Sequence, residues 1–310
     1  MNLPRSLTLL SAVLIISTCR KDPHPYKVYK ISQYDLYGVA VYQGDTVVAV
    51  GGRKYDEGVL FVKAGRRGLW QLKQRTNAAL NTVAFRYGWR GFSAGYLGII
   101  LSGYGVWDTT EMLVSPSFSV FYDILDLDTI VYFVGGGEGF LKGTVFRARP
   151  GFDWFEELYL PYVLRSICFD GKYLYAGSVG RIYVSTNGRD WDSIFIGKDL
   201  YVDRIHHPTQ GCYFIGTRGT IAKASRGKVQ LIKKQPPIPL RTIVASEYIA
   251  EQIIALTGNG TLLVFDNNHW KVLTTVPSSQ CFDIACGNEN KCYMACETGK
   301  LYVLNLSQLF

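Results

Sequence analysis

The sequence predicts an all-β fold, a seven-bladed β-propeller, and three observations lead there. First, a glycine turn followed by a short apolar strand recurs at Gly58, Gly98, Gly143, Gly180, Gly219, Gly260 and Gly299, with spacings of 40, 45, 37, 39, 41 and 39 residues. A period of about 40 residues is that of one four-stranded blade. Second, Trp70, Trp107, Trp154, Trp191 and Trp270 each follow their turn glycine by 9 to 12 residues, where a large ring fills the wedge between splaying blades. Third, short apolar runs such as LYGVAV, LNTVAF, LRSICF and LRTIVA precede each turn and read as innermost strands.

The clearest copy is Tyr173 to Ile194, YLYAGSVGRIYVSTNGRDWDSI, in which two alternating apolar runs flank Gly177-x-x-Gly180 and a polar hairpin precedes Trp191. Period-2 alternation with turn chemistry between runs is the signature of short antiparallel strands. No segment of a dozen residues sustains a 3.6-residue apolar period, so helices are not expected. A single blade cannot bury both of its faces; blades stacked in a ring can, because each face packs on a neighbour.

Residues 1–22 read as targeting. Arg5 precedes an uncharged run, Ser6 to Thr18, whose 13 residues are too few to span a bilayer but suit a signal-peptide core. Ile16-Ser17-Thr18-Cys19 resembles the lipobox of bacterial lipoproteins, with Thr18 where Gly, Ala or Ser is usual. Arg20-Lys21-Asp22 is similar to the charged segment that follows the acylated cysteine in outer-membrane lipoproteins. That resemblance implies cleavage before Cys19, lipidation of Cys19 and a place in the cell envelope. The propeller is expected over 23–310. After Gly299 the chain holds one more strand but no fourth, so Lys27 to Ile31 is expected to pair there as the outer strand of the seventh blade and to remove two exposed edges.

The chain carries 33 basic and 25 acidic side chains, a net charge of +8. The excess is scattered, and export argues against nucleic acid as the counterpart. An acidic glycan or the acidic face of an envelope protein fits better.

Six cysteines follow Cys19. In the hairpin CFDIACGNENKCYMAC, antiparallel pairing sets Cys286 opposite Cys292, and Cys281 opposite Cys296 if one strand carries a bulge. One or two disulfides are expected there, the alternative being small buried residues. The spacing lacks the paired Cys-x-x-Cys knuckles of a zinc site. Cys168 and Cys212, in consecutive repeats, read as core.

Ser185-Thr186-Asn187-Gly188-Arg189-Asp190-Trp191 resembles the Asp-box hairpin of sialidase-like (BNR-type) propellers, with Asn187 at the aspartate position. In that family the box is structural, so the resemblance implies architecture and no catalytic residue. The wider pattern, an Asp-box with a Gly-x-x-Gly turn in each blade, is similar to propellers of the photosystem assembly-factor type. This implies protein binding or assembly help at one face. The alternative is a sialidase-like glycoside hydrolase acting on anionic glycans, which needs three arginines around the axis, a Tyr with a Glu partner and an acidic proton donor. An Arg-Ile-Pro signature is absent from the N-terminal part; Arg204-Ile205-His206-His207-Pro208 only echoes it.

Arg165, Arg204 and Arg241 sit at or next to one point of the innermost strand in successive repeats, and Tyr37, Asn81, Tyr122 and Phe282 occupy it in others, with Asp123 and Asp283 one step on. Arg165, Arg204, Arg241, Tyr37 and Tyr122 are therefore the candidate binding residues, a basic and aromatic cluster for an anionic group. The competing assignment is arginines that stack between blades and bond carbonyls. Adjacent His206 and His207 point to opposite faces of a strand and cannot share one metal. No cofactor, metal or catalytic set is expected.

Overall fold

The computed structural model describes residues 25–43, 45–85, 90–104, 107–137, 142–207, 210–233, 243–249, 251–266, 269–287 and 291–309. The targeting segment, Cys19 and Arg241 lie outside the described residues.

Strand β1 (Tyr26–Lys30) comes first, and the blades follow it. Blade one is β2 (Asp35–Tyr42), β3 (Thr46–Arg53), β4 (Glu57–Lys63) and β5 (Trp70–Thr76). Blade two is β6 (Leu80–Phe85), β7 (Arg90–Gly95), β8 (Ile99–Tyr104) and β9 (Thr109–Val114), and blade three is β10 (Val120–Asp126), β11 (Val131–Gly136), β12 (Gly143–Ala148) and β13 (Phe155–Leu160). Blade four has six strands: β14 (Leu164–Phe169), β15 (Leu174–Ser185), β16 (Asp192–His207), β17 (Gly211–Gly216), β18 (Ile221–Ser225) and β19 (Lys228–Lys233). Blade five is β20 (Ile243–Ile249), β21 (Gln252–Thr257), β22 (Thr261–Asp266) and β23 (His269–Thr275). Blade six is β24 (Cys281–Cys286), β25 (Lys291–Cys296) and β26 (Lys300–Asn305), completed by β1.

The expectation of seven blades is thus corrected to six, because the repeats of Gly180 and Gly219 share one sheet. The reason is local. β16 pairs with β15 from Val184↔Asp192 to Val179↔Leu200, and β17 takes up the same strand from Tyr201↔Gly216. Pro116, Pro161 and Pro277 interrupt three other joints, since proline has no amide N–H for a ladder. Gly197-Lys198-Asp199-Leu200 has no such break. Asp199, 2% exposed, fixes this joint from within by accepting the Thr217 hydroxyl at 2.6 Å and the Thr220 hydroxyl.

The six-stranded blade folds on itself. Cys168, Tyr175 and Ile182 from its first half pack against Tyr201, Cys212, Phe214 and Ala222 from its second, and a Cys168–Cys212 disulfide joins the halves. Burying each large apolar side chain of this kind contributes about 1.5–3 kcal/mol. In blade six, Cys281–Cys296 and Cys286–Cys292 are bonded across β24 and β25, whose register shifts between Cys281 and Asp283.

The ring closes where the last blade meets the first. β1 pairs antiparallel with β26, from Tyr26↔Leu304 to Lys30↔Lys300, and the Ile31 amide donates to the Gly299 carbonyl at 2.9 Å. Gly299 has φ +71°, and a Cβ there would strike the Ser32 carbonyl, so the turn that receives the N-terminal strand admits only glycine. Leu36, Val39, Val47 and Ala49 of blade one share a core with Ala285, Tyr293, Ala295 and Leu301 of blade six.

The hairpin before Trp191 is held by its own side chains. Asn187 Oδ1 accepts the amides of Arg189 at 2.8 Å and Asp190 at 2.9 Å, and Ser185 Oγ accepts that of Gly188 at 2.9 Å. Short polar side chains bonding local amides are what fixes such turns.

Candidate functional site

β2, β6, β10, β14, β16, β20 and β24 contact one another in that cyclic order and line the axis, blade four supplying two of them. Each carries the same defect, near its start in all but the long β16. The pairing skips one residue between Leu36 and Gly38, Leu80 and Thr82, Phe121 and Asp123, Leu164 and Ser166, Tyr201 and Asp203, Ile243 and Ala245, and Cys281 and Asp283. A bulge re-aims the residue it leaves unpaired. The seven skipped residues all line a cavity of about 830 Å³ on the axis, Tyr37, Asn81, Tyr122, Arg165 and Phe282 among them.

Lys54, Tyr96 and Thr217, which come from turns between strands, mark the end of the cavity that forms its mouth. Here the Tyr37 and Phe282 rings meet edge to face at 4.9 Å, and the Arg165 guanidinium lies 3.7 Å from the centre of the Tyr122 ring. A cation over an aromatic face is favourable, more so when water is excluded. Burial pushes the Tyr96 hydroxyl well up, and the neighbouring Tyr122, Tyr37 and Tyr55 add to it while Arg165 opposes. Burial lowers the Arg165 pKa, offset by the phenols of Tyr122 and Tyr96. Its Nε is buried and has no hydrogen-bond partner among the described residues.

Deeper in, four carboxyls form a girdle. Asp123 accepts the amides of Ile124 and Ile167, both at 2.8 Å, so it bonds its own strand β10 and the next, β14. Asp203 accepts from Arg204 N at 2.8 Å and from the amide and hydroxyl of Ser246 on β20. Glu247 accepts the amides of Tyr248 and of Cys286 on β24. Asp283 accepts from Ile284 at 2.9 Å and from Val39 on β2 at 2.8 Å. Each carboxyl clamps one lining strand to the next.

Arg204 reaches back among these acids. Its Nη2 lies 3.2 Å from Asp123 Oδ1, and its Nε donates to the Ile167 carbonyl at 2.9 Å. The Asp123 charge raises the Arg204 pKa, with Asp203, Glu247 and Asp283 acting the same way against burial. Burial pushes Asp203 up to about 6, with Asp123 adding and Arg204 opposing. Burial and then the Asp203 charge push Glu247 up to about 8, and burial raises Asp283 well above the carboxylate range. Excess carboxyls confined with one guanidinium hold protons that they would lose in water.

The candidate residues therefore separate. Tyr37, Tyr122 and Arg165 gather at the mouth around Tyr96, whereas Arg204 stands in the girdle as an internal ion pair and carbonyl donor. Asp203, Glu247 and Tyr96 were not singled out from the sequence. Tyr122-Asp123-Ile124, Val202-Asp203-Arg204 and Phe282-Asp283-Ile284 occupy matching positions, so aligning the repeats on the bulge finds Asp203. Glu247 lies two residues beyond Ala245, the residue at the aspartate position in β20, and leaves no such trace. Among the described residues no group of three or more His, Cys, Asp or Glu could hold a metal ion.

No family model matches the chain, and no curated protein matches it. Solved structures do. A streptogramin B lyase structure superposes with a TM-score of 0.73 at 13% identity, covering 90% of this chain and 97% of that one. YCF48 bound to D1 peptide gives 0.69 at 14% identity, covering 91% and 97%, and YCF48 from Cyanidioschyzon merolae gives 0.69 at 13%, covering 91% and 99%. The WD40 propeller domain of Doa1 gives 0.65 at 13% identity, covering 89% and 94%. At such identities likeness carries the fold alone, and the chain is a β-propeller.

Proposed function

We propose that this chain is an exported, non-catalytic β-propeller that captures a segment of a partner protein at the mouth of its axial cavity. The observation that carries this reading is Arg165, stacked on Tyr122 with a buried, unpartnered Nε in the wall of a cavity of about 830 Å³. An arginine beside several aromatic rings is the composition of interface hot spots. The structure of YCF48 with D1 peptide gives a precedent for a peptide on this fold. Export through the lipobox-like Cys19, attachment to the envelope and help in assembling an envelope complex complete the proposal. Three disulfides suit an oxidising compartment.

The test is capture of envelope proteins, with chemical cross-linking, by the wild-type chain and by Arg165→Met and Tyr122→Ala. The proposal expects capture to fall in both variants with the fold unchanged; undiminished capture would retire it. Loss of radiolabelled acyl chain in Cys19→Ala checks the anchor.

A second reading, glycoside hydrolysis on anionic glycans, draws on Asp203 and Glu247, two carboxyls of different proton affinity in one cavity. Both are also tied to amides of adjacent strands, which is a positioning role. Turnover of any member of a fluorogenic sugar panel would favour hydrolysis over capture.

A further inference from the structure

The axial cavity sets Arg165 at one depth and four carboxyls at another, and we propose that it receives the C-terminal end of a peptide chain finishing in lysine or arginine. The inference rests on the binding reading above and supplies its ligand chemistry.

At the mouth the groups acting on Arg165 are the phenols of Tyr122 and Tyr96. A carboxylate offers the planar pair of acceptors that the Arg165 guanidinium, in the wall of the cavity, can take. Lys54 lines the same mouth and, with Arg165, outweighs the Asp35 carboxyl that lines it too.

In the girdle the balance reverses. Asp123, Asp203, Glu247 and Asp283 face Arg204, whose direct ion pair is to Asp123. Among the described residues the other three have no comparable cation at hand, and no group of them could hold a metal ion. A cation on a flexible stem meets dispersed carboxyls better than a bare ion does, as Arg204 itself shows by spanning Asp123 and the carbonyls of Ile167 and Ile124.

A C-terminal lysine or arginine carries an α-carboxylate and a basic side chain on one Cα and so offers both charges together. The carboxylate pairs with Arg165, and the side chain goes on inward, where its cation favours the ionised form of the girdle carboxyls. A chain end also enters an axial hole without doubling back.

The test is calorimetry on the full chain with three probes: acetyl-Gly-Gly-Lys, its C-terminal amide, and acetyl-Gly-Gly-norleucine. The free-acid lysine probe is expected to bind, and amidation or loss of the ammonium to weaken it by about tenfold or more each. Arg165→Met should erase the acid-over-amide preference and keep the lysine-over-norleucine preference, with Asp203→Asn doing the reverse. The ligand comparisons use unaltered protein, so a poorly folded variant does not void them. Equal affinity for the three probes, or none for any, overturns the inference. If partner capture depends on Arg165 and Tyr122 while the probes bind alike, the binding reading survives and this inference alone fails.

Discussion

The Asp283 carboxylate on β24 accepts the amide N–H of Val39 on β2 at 2.8 Å, so the last lining strand is hydrogen-bonded to the first across 244 positions of sequence. Asp123 and Asp203 make the same kind of bond to Ile167 and Ser246. The three are equivalent in the repeat but not in consequence, since only Asp283 spans the seam.

Replacing Asp283 with alanine leaves the Val39 amide without its acceptor, which costs about 1–3 kcal/mol. Urea unfolding should show a lower midpoint for Asp283→Ala. A midpoint equal to wild type would mean that the seam does not depend on this bond.

Arg165 and Arg204 should behave oppositely. Arg204→Met strands Asp123 in the girdle, and removing one partner of a buried pair costs about 3–5 kcal/mol, a range reduced here because the Arg204 side chain is 29% exposed. Arg165→Met removes a guanidinium that stacks on Tyr122 without breaking a buried ion pair, so thermal unfolding should change little while partner capture falls.

The girdle gives stability a pH dependence of fixed sign. Asp203 at about 6 and Glu247 at about 8 hold protons in the folded chain that the unfolded chain releases near pH 4. Their contribution is complete below the unfolded pKa and is lost as pH rises through 6 and 8. Glu156 works the other way: the Arg147 hydrogen bond lowers its pKa, so its contribution is present at neutral pH and lost on acidification. The melting temperature should therefore fall between pH 5 and 8.5, and Glu247→Gln should flatten the upper part of that fall.

The Cys168–Cys212 bond closes a separation of 44 residues, against 15 for Cys281–Cys296 and 6 for Cys286–Cys292. Loop-closure entropy grows with the span, so the paired Cys168→Ser and Cys212→Ser change should cost most, about 2–4 kcal/mol. Thiol labelling of the native chain followed by mass spectrometry checks the pairings; labels on the six would remove the basis of this prediction.

What could be seen in the sequence was whatever repeats with strong local chemistry. Glycine turns at positive φ mark five of the seven copies, at Gly98, Gly180, Gly219, Gly260 and Gly299, and Gly58 and Gly143 stand inside strands of the other two. What escaped was signalled by an absence or by distance. That β16 runs on through Gly197 to Leu200 has no mark in the local sequence, since Asn77-Ala78-Ala79 also lacks a proline yet parts two blades, so seven copies were read as seven sheets where six form. The sequence grouped Arg204 with Arg165, but a two-residue offset from the bulge turns one into the girdle and leaves the other at the mouth. Cys168 and Cys212 meet because β14 and β17 fold face to face, which no spacing rule reveals.

The unbroken β16 also sets where this disc can breathe. Two of its sectors are welded by a shared ladder and bolted by sulfur, so that joint acts as a stiff arc. Looseness is left to the other boundaries, among them the clasp where β1 lies against β26.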